Sequence, residues 1–419
     1  MSILGREDHC GNPTKAERDW PAAVIAGAFQ TGVLGARSLK RRGVRTSLFD
    51  CDSSMPGFRS VYGPALRCPN PDTDFESWMD FVLNVGCQYA IKPVLIPSSD
   101  RYVSAIAKGE ERLRECFLFS PRVDLQGELA DKFTQYHLAG MHRLPMPETA
   151  IVEDEYSVQS FAEKAQFPCL MKPGHFREWE RFPIGHPLSH KKIHISDSPT
   201  DLTAKYRLAS TLNPKVVLQE IIQGPDTNKR VYLSCYDRNG ARIANALFRE
   251  LRCDPVGFGP ATVSEPVVDP LVDSLCDEFL RSIGYVGICE IELKWDDRDG
   301  RVKLIEANPR LSGGGDAAPY SGVDICWLNY LDLIGQPVRP VAPSTRDFRH
   351  IMLRPDGKAI PAYRRAGLLG WNELLHSYKP PLAFYDLDWK DWRYSLESIF
   401  IALKLFLTEV FFPNRDDSQ

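Results

Sequence analysis

The sequence predicts an α/β unit built on a parallel sheet, then α+β lobes, then a C-terminal helical extension. Three observations carry this. Near the start, AAVIAGAF, QTGVLGARSLKRRG and VRTSLFD alternate as strand, helix and strand. Further on, KRVYLSCYDRNGARIANALFREL and GICEIELKWDDRDGRVKLIEAN each read as two strands about a polar turn. Last, WRYSLESIFIALKLFLTEVFFP is apolar around much of a helical circumference.

In chain order, the small and β-branched run from Ala22 is a buried strand, and the next segment repeats its apolar residues at helical spacing. A second strand ends at Asp50, which makes a right-handed βαβ unit. KPVLIPSS and DRYVSAIAKGEERL continue it as strand and helix. Gly27, Gly32 and Gly35 lack GxGxxG spacing, so their expected role is tight turning and close helix-on-strand packing. Asp50 is expected to end its strand, with a ribose contact as the alternative.

From Asp131 a helix enters at Lys132 and stops near Gly140, and FPCLMKP is a short strand carrying Lys172. GHFREWERFPIGHPLSHKKIHISD, polar and weakly periodic, reads as a long loop or small flap, and VVLQEIIQG as an apolar strand. The next hairpin turns at Asn239 and Gly240, and PLVDSLCDEFLRSIG is a helix closed by Gly284. Beyond Pro340 no motif is found; the final amphipathic helix is expected to dock on its own domain, with a membrane surface or a second subunit (a homodimer) as alternatives.

The 51 basic and 55 acidic side chains leave a net charge of −4, so no overall positive field attracts nucleic acid. The 11 cysteines form no CxxC pair and no zinc-spaced cluster, and read as reduced, mostly buried thiols. With no signal-like apolar core at the start and no run long enough to span a bilayer, the expected location is the cytoplasm.

The chemistry concentrates in the last hairpin. Period-two alternation puts Glu290, Glu292 and Lys294 on one strand face, and Glu306 and Asn308 on one face of the partner. Closed by DDRDG, the hairpin brings Glu292 to Glu306, with Asn308 adding a neutral oxygen. That donor set suits magnesium beside substrate phosphates. The alternative is a solvated acidic face, against which stands the apolar setting of LIEANPR. Arg310 can meet phosphate oxygens with its planar fork.

Motifs in order from about Ala22 to Pro337 then bear on the family: AVIAGAFQTGVLGARSL, LIPSSD, the DK at Asp131 and Lys132, MKP, LQEIIQG, LFRELRCDPVGFGPAT, IELKWDDRDG, LIEANPR and YSGVDICWLNYLDLIGQP. The chain resembles the ATP-grasp superfamily, in particular its carboxylate-amine ligases of the D-aspartate ligase and carbamoyl-phosphate-synthase-like type. The resemblance implies a Rossmann-like preATP-grasp domain over 1–125, an ATP-grasp lobe over 126–222, a catalytic lobe over 223–340 and an extension over 341–419. It implies ATP and magnesium, with Lys132 and Lys172 on the phosphates and Gln219 with the backbone of Glu220 and Ile222 on adenine. It further implies Asp226 on the ribose and Glu292, Glu306 and Asn308 on the metal.

An arginine that other branches place two residues before the first metal acid is replaced here by Glu290, so Arg310, Arg249 or Arg252 is expected to supply that charge. His175, His186 and His190 are flap candidates for phosphate or substrate contact. The implied reaction joins a carboxylate, activated as an acylphosphate, to an amine such as an amino acid's. The alternatives are a thiol ligase, a carboxylase, or a nucleotide-binding regulatory protein without turnover.

Overall fold

A computed structural model describes residues 20–174, 178–183, 185–189, 193–344 and 346–412. Its first sheet holds β1 (Ala23–Ala26), β2 (Thr46–Asp50), β3 (Ala65–Arg67) and β4 (Val94–Pro97) in the order β3-β2-β1-β4, all parallel. Between and after them run α1 (Gln30–Lys40), α2 (Phe75–Gly86), α3 (Asp100–Lys108), α4 (Glu110–Leu113) and α5 (Val123–Ala130). The strands are buried throughout β1 and β2, as continuous apolar runs in a covered parallel sheet should be. A Cβ on Gly32 would lie 2.0 Å from the Gly27 carbonyl oxygen, so the turn-and-packing role of these glycines is the one the structure uses. Asp50 ends β2, and its carboxylate accepts from the Ala28 and Asp52 amides at 2.8 and 3.0 Å.

The helix α6 (Lys132–Met141) is capped by the Asp131 carboxylate, which accepts from the Thr134 amide at 2.9 Å. A second sheet, antiparallel and ordered β5-β8-β6-β7, comprises β5 (Thr149–Val152), β6 (Cys169–Pro173), β7 (His194–Ser196) and β8 (Val216–Glu220). The helices α7 (Glu155–Ala162) and α8 (Pro199–Ser210) cover one face through Val158, Phe161, Leu202 and Tyr206. In the segment expected as a loop or small flap, a 3₁₀ turn at Glu178–Arg181 buries Trp179 in this core, and the segment's last residues form the strand β7.

The third sheet has seven strands: β9 (Lys229–Tyr236), β10 (Arg242–Cys253), β11 (Ala261–Pro266), β12 (Gly287–Asp296), β13 (Arg301–Asn308), β14 (Arg349–Ile351) and β15 (Leu382–Phe384). Their order is β13-β12-β9-β10-β11-β14-β15. With them go α9 (Pro270–Ser282), α10 (Ile325–Leu333), α11 (Leu353–Arg365), α12 (Trp371–Ser377) and α13 (Trp392–Phe411). The extension beyond Pro340 therefore supplies two strands as well as helices. At three residues each they are too short to show a period in the sequence.

Alternation divides this sheet. One face packs Tyr232, Cys289, Ile291, Leu293 and Leu304 against Val272, Cys276 and Leu280 of α9. The other presents Val231, Leu233, Phe248 and Ile288 to Leu311, Ile325 and Ala36 of α1. The charged residues of interest lie on this second face, beyond its apolar part.

Candidate active site

The hairpin of β12 and β13 closes as expected, with Glu292 opposite Glu306 and Glu290 opposite Asn308. A register shift after Glu292 sets Leu293 opposite Leu304, which leaves Ile305 as an extra residue on β13. Without that bulge Leu304 and Glu306 would share a face. With it, Leu304 joins the α9 core while Glu306 turns to Glu292.

Lys132, at the first turn of α6, donates to Glu306 Oε2 at 2.6 Å. Against the cost of burial, the Lys132 ammonium holds the Glu306 carboxyl down at about 2, and Glu306 in turn raises Lys132. Glu292 behaves oppositely: burial, then the charges of Glu290, Glu306 and Glu250, push its carboxyl well above the usual range. Three acids thus converge, and among the described residues only Glu306 of the three makes an ion pair. Asn308 Nδ2 donates to Glu290 at 3.3 Å and Glu292 at 3.5 Å, while its Oδ1 accepts from Arg310 at 2.9 Å.

Among the described residues no three His, Cys, Asp or Glu side chains form a finished metal cage. Two carboxylates and one amide fit a magnesium ion, which takes its remaining ligands from water and phosphate. The facing of Glu292 and Glu306 supports that fit, since a divalent cation offsets the negative charge gathered there.

Lys172 is buried, and its Nζ donates to the Tyr136 hydroxyl and to Gln219 Oε1, the latter at 2.9 Å. Burial and then the Lys132 charge lower it to about 7. The two lysines therefore approach one another beside Glu306. Gln219 is buried too, with Nε2 donating to Thr149 Oγ1 at 2.9 Å. Its amide is committed to Lys172 and Thr149, so a reach to a base edge requires giving up one of them.

The Glu220 amide donates to the Glu148 carbonyl at 2.9 Å, and its carboxylate pairs with Arg298 at 3.1 Å. Ile222, just past the end of β8, is buried. Asp226 accepts from the Gly257 amide at 3.1 Å and from the Tyr363 hydroxyl, and pairs with Lys229 at 3.2 Å. These contacts hold it in the turn between β8 and β9 and tie that turn to α11.

The three arginines separate clearly. Arg310 is clamped by Asp100, at 2.6 and 3.1 Å, at the edge of the acid cluster. Two of the three expectations are corrected. Arg249 sits opposite Arg230 in register, whereas Val231, two strands from β13, is opposite Glu292; Arg249 therefore points to the other side of the sheet and pairs with Glu265. Arg252 is only 1% exposed and grips Asp356 at 3.0 and 2.9 Å and Ser377 at 2.6 Å, which makes it the peg that holds α11 and α12 to the sheet. His186 stacks on Phe182 with ring centroids 4.0 Å apart, and His175 and His190 lie outside the described residues.

The structure adds charged residues on the same face. Lys229 bridges Asp226 and Glu250 at 3.2 and 3.3 Å, and burial raises Glu250 to about 7 despite that lysine. Lys294, buried and beside Lys229 in register, is lowered by burial. Cross-strand register with Lys294, which shares a strand face with Glu292, is the signal that finds Lys229, because alternation alone places it only on an unassigned face.

The shape of about three quarters of the chain decides the fold. It superimposes with a TM-score of 0.60 at 15% identity on the biotin carboxylase domain of 2-oxoglutarate carboxylase from Hydrogenobacter thermophilus in complex with MgADP, ADP and bicarbonate, over 77% of this chain and 71% of that one. The fold is the ATP-grasp fold. The L-amino acid ligase from Bacillus licheniformis has the same ATP-grasp shape, with a TM-score of 0.55 at 15% identity over 75% of this chain and 74% of the ligase. By sequence the chain is 28% identical over 228 residues to a D-aspartate ligase of Enterococcus faecium (strain Aus0004), covering 52% of this chain and 53% of that protein. It thus spans about half the length of that curated relative. No family model matches the chain.

Proposed function

We propose that the chain is an ATP-dependent ligase that activates a carboxylate as an acylphosphate and joins it to an amine. One observation carries the reading: Lys132 contacts Glu306 at 2.6 Å and its charge reaches the buried Lys172, which sets the two proposed phosphate-binding cations beside the proposed metal-binding acids. The likeness to a D-aspartate ligase and to the shape of an L-amino acid ligase supports it.

In this scheme a carboxylate oxygen bonds to the γ-phosphorus of ATP and ADP leaves with the bridging oxygen. The amine nitrogen then attacks the carbonyl carbon, losing a proton as phosphate departs. Lys132 and Lys172 neutralise phosphate charge, and Arg310, held by Asp100, meets negative charge at the acid end of the cleft. Magnesium, held by Glu292, Glu306 and the Asn308 oxygen, would supply alignment and charge neutralisation of the phosphates. Gln219, Glu220 and Ile222 line the nucleotide end, and the ranges 1–125, 126–222, 223–340 and 341–419 are the working units of this reading.

The test is phosphate release from ATP and magnesium across amino acids and other carboxylic acids, supplied singly and in pairs. Release that needs a pair, with a new amide mass, is the expected result. Release that needs only bicarbonate and an acceptor would favour a carboxylase, and absence of ATP binding would overturn the scheme.

A further inference from the structure

The helix α13 separates its apolar and inward charged residues onto opposite sides. Leu396, Ile399, Phe400, Leu403, Leu407 and Phe411 are between 43% and 69% exposed. At 3.6 residues per turn they fall in a stripe about 120° wide. The opposite side, with Tyr394, Ser398 and Glu409, is buried against α11, where Arg354 meets Tyr394 and Ser398 and Arg365 meets Glu409. The helix is therefore docked on its own domain and still presents an apolar stripe outward.

Its charges are sorted as well. Both acids of α13 are held by protein arginines, Glu397 by Arg59 at 3.3 Å and Glu409 by Arg365. Both of its bases, Arg393 and Lys404, are exposed and make no ion pair with the described residues. Just before the helix the acids Asp386, Asp388 and Asp391 are buried, whereas Lys390 is exposed. Trp389 and Trp392, 80% and 57% exposed, lie beside Lys390 and Arg393, each 5.4 Å from the cation to the ring.

An exposed apolar stripe edged by tryptophan, lysine and arginine matches the interface of an anionic bilayer, where indole rings sit at headgroup depth and cations meet lipid phosphates. No helix among the described residues is long and apolar enough to cross a membrane, so the fit is to a helix lying along the surface. A second copy fits less well. Two-fold self-pairing would bring Arg393 and Lys404 of both copies into one interface, where Glu409 is buried on Arg365 and Glu397 is already paired with Arg59. We propose that α13 seats the protein on an anionic membrane surface.

The test is co-sedimentation of the full chain with vesicles of phosphatidylcholine alone or with added phosphatidylglycerol. Binding to the anionic vesicles, weakened by salt, is expected. Arg393→Glu and Lys404→Glu should each weaken partitioning about fivefold or more. Phe400→Ser with Leu403→Ser should abolish it, with melting curves showing the variants folded. No pelleting with anionic vesicles would overturn the proposal. So would sedimentation velocity showing a dimer that Phe400→Ser with Leu403→Ser dissociates, because a second copy would then cover the stripe.

Discussion

Replacing Glu306 by glutamine tests the core of the site with little change of shape. The variant keeps the volume and one acceptor oxygen for Lys132, 2.6 Å away in the parent, but loses the charge. A charge-assisted bond at a half-buried position becomes a neutral one, a loss of about 1–2 kcal/mol. Part of it is offset, because one acid fewer faces Glu290 and Glu292. The expected stability change is therefore small, read as a modest fall in the urea midpoint. Activity should fall much further, since one of two carboxylates proposed to hold magnesium is gone. Losing a single electrostatic element of this kind costs about 10²–10³ in turnover. Phosphate release measures that loss, and nucleotide titration with and without magnesium tests whether binding becomes insensitive to the metal. Turnover at the parent level in a folded variant would refute the placement of the metal.

Further outcomes follow from four particular contacts. Lys172, lowered to about 7, binds a proton in the unfolded chain over a range where the folded chain does not; its contribution to stability should therefore rise with pH from about 7 towards 10. ATP phosphates favour its charged form, so calorimetry in buffers of different ionisation heat should show proton uptake on ATP binding near pH 8, and zero uptake would refute the contact. Lys172→Met should abolish that uptake and stabilise the unliganded protein. Arg252→Met strands the buried Asp356 and should cost about 3–5 kcal/mol in urea unfolding. Arg249→Ala, whose partner Glu265 keeps Arg349 at 2.8 Å, should leave turnover unchanged and stability within about 0.5 kcal/mol. Cys87 and Cys116, with sulfurs 3.3 Å apart, should be joined by a mild thiol oxidant, losing two hydrogens by intact mass, and Cys87→Ser should not react this way.

Where a residue's role follows from local order, the sequence alone determined it. The βαβ opening, the turn at Asn239 and Gly240, the helix start at Lys132 and the shared strand face of Glu290 and Glu292 all come from periods of 2 and 3.6 and from turn chemistry, which a few neighbouring residues set. The glycine and Asp50 assignments hold for the same reason. Tertiary structure decided whatever depends on which strands become neighbours. Arg249 and Arg252 look alike in LFRELRC, but the register of β10 against β9 turns one to the far side, and Asp356, more than a hundred residues later, takes the other. The bulge at Ile305, the approach of Lys172 to Lys132 and the docking of α13 with its apolar stripe outward also join distant segments. A linear pattern shows which face a side chain takes within its own strand or helix. It does not show what stands opposite, because that depends on contacts the chain makes only when folded.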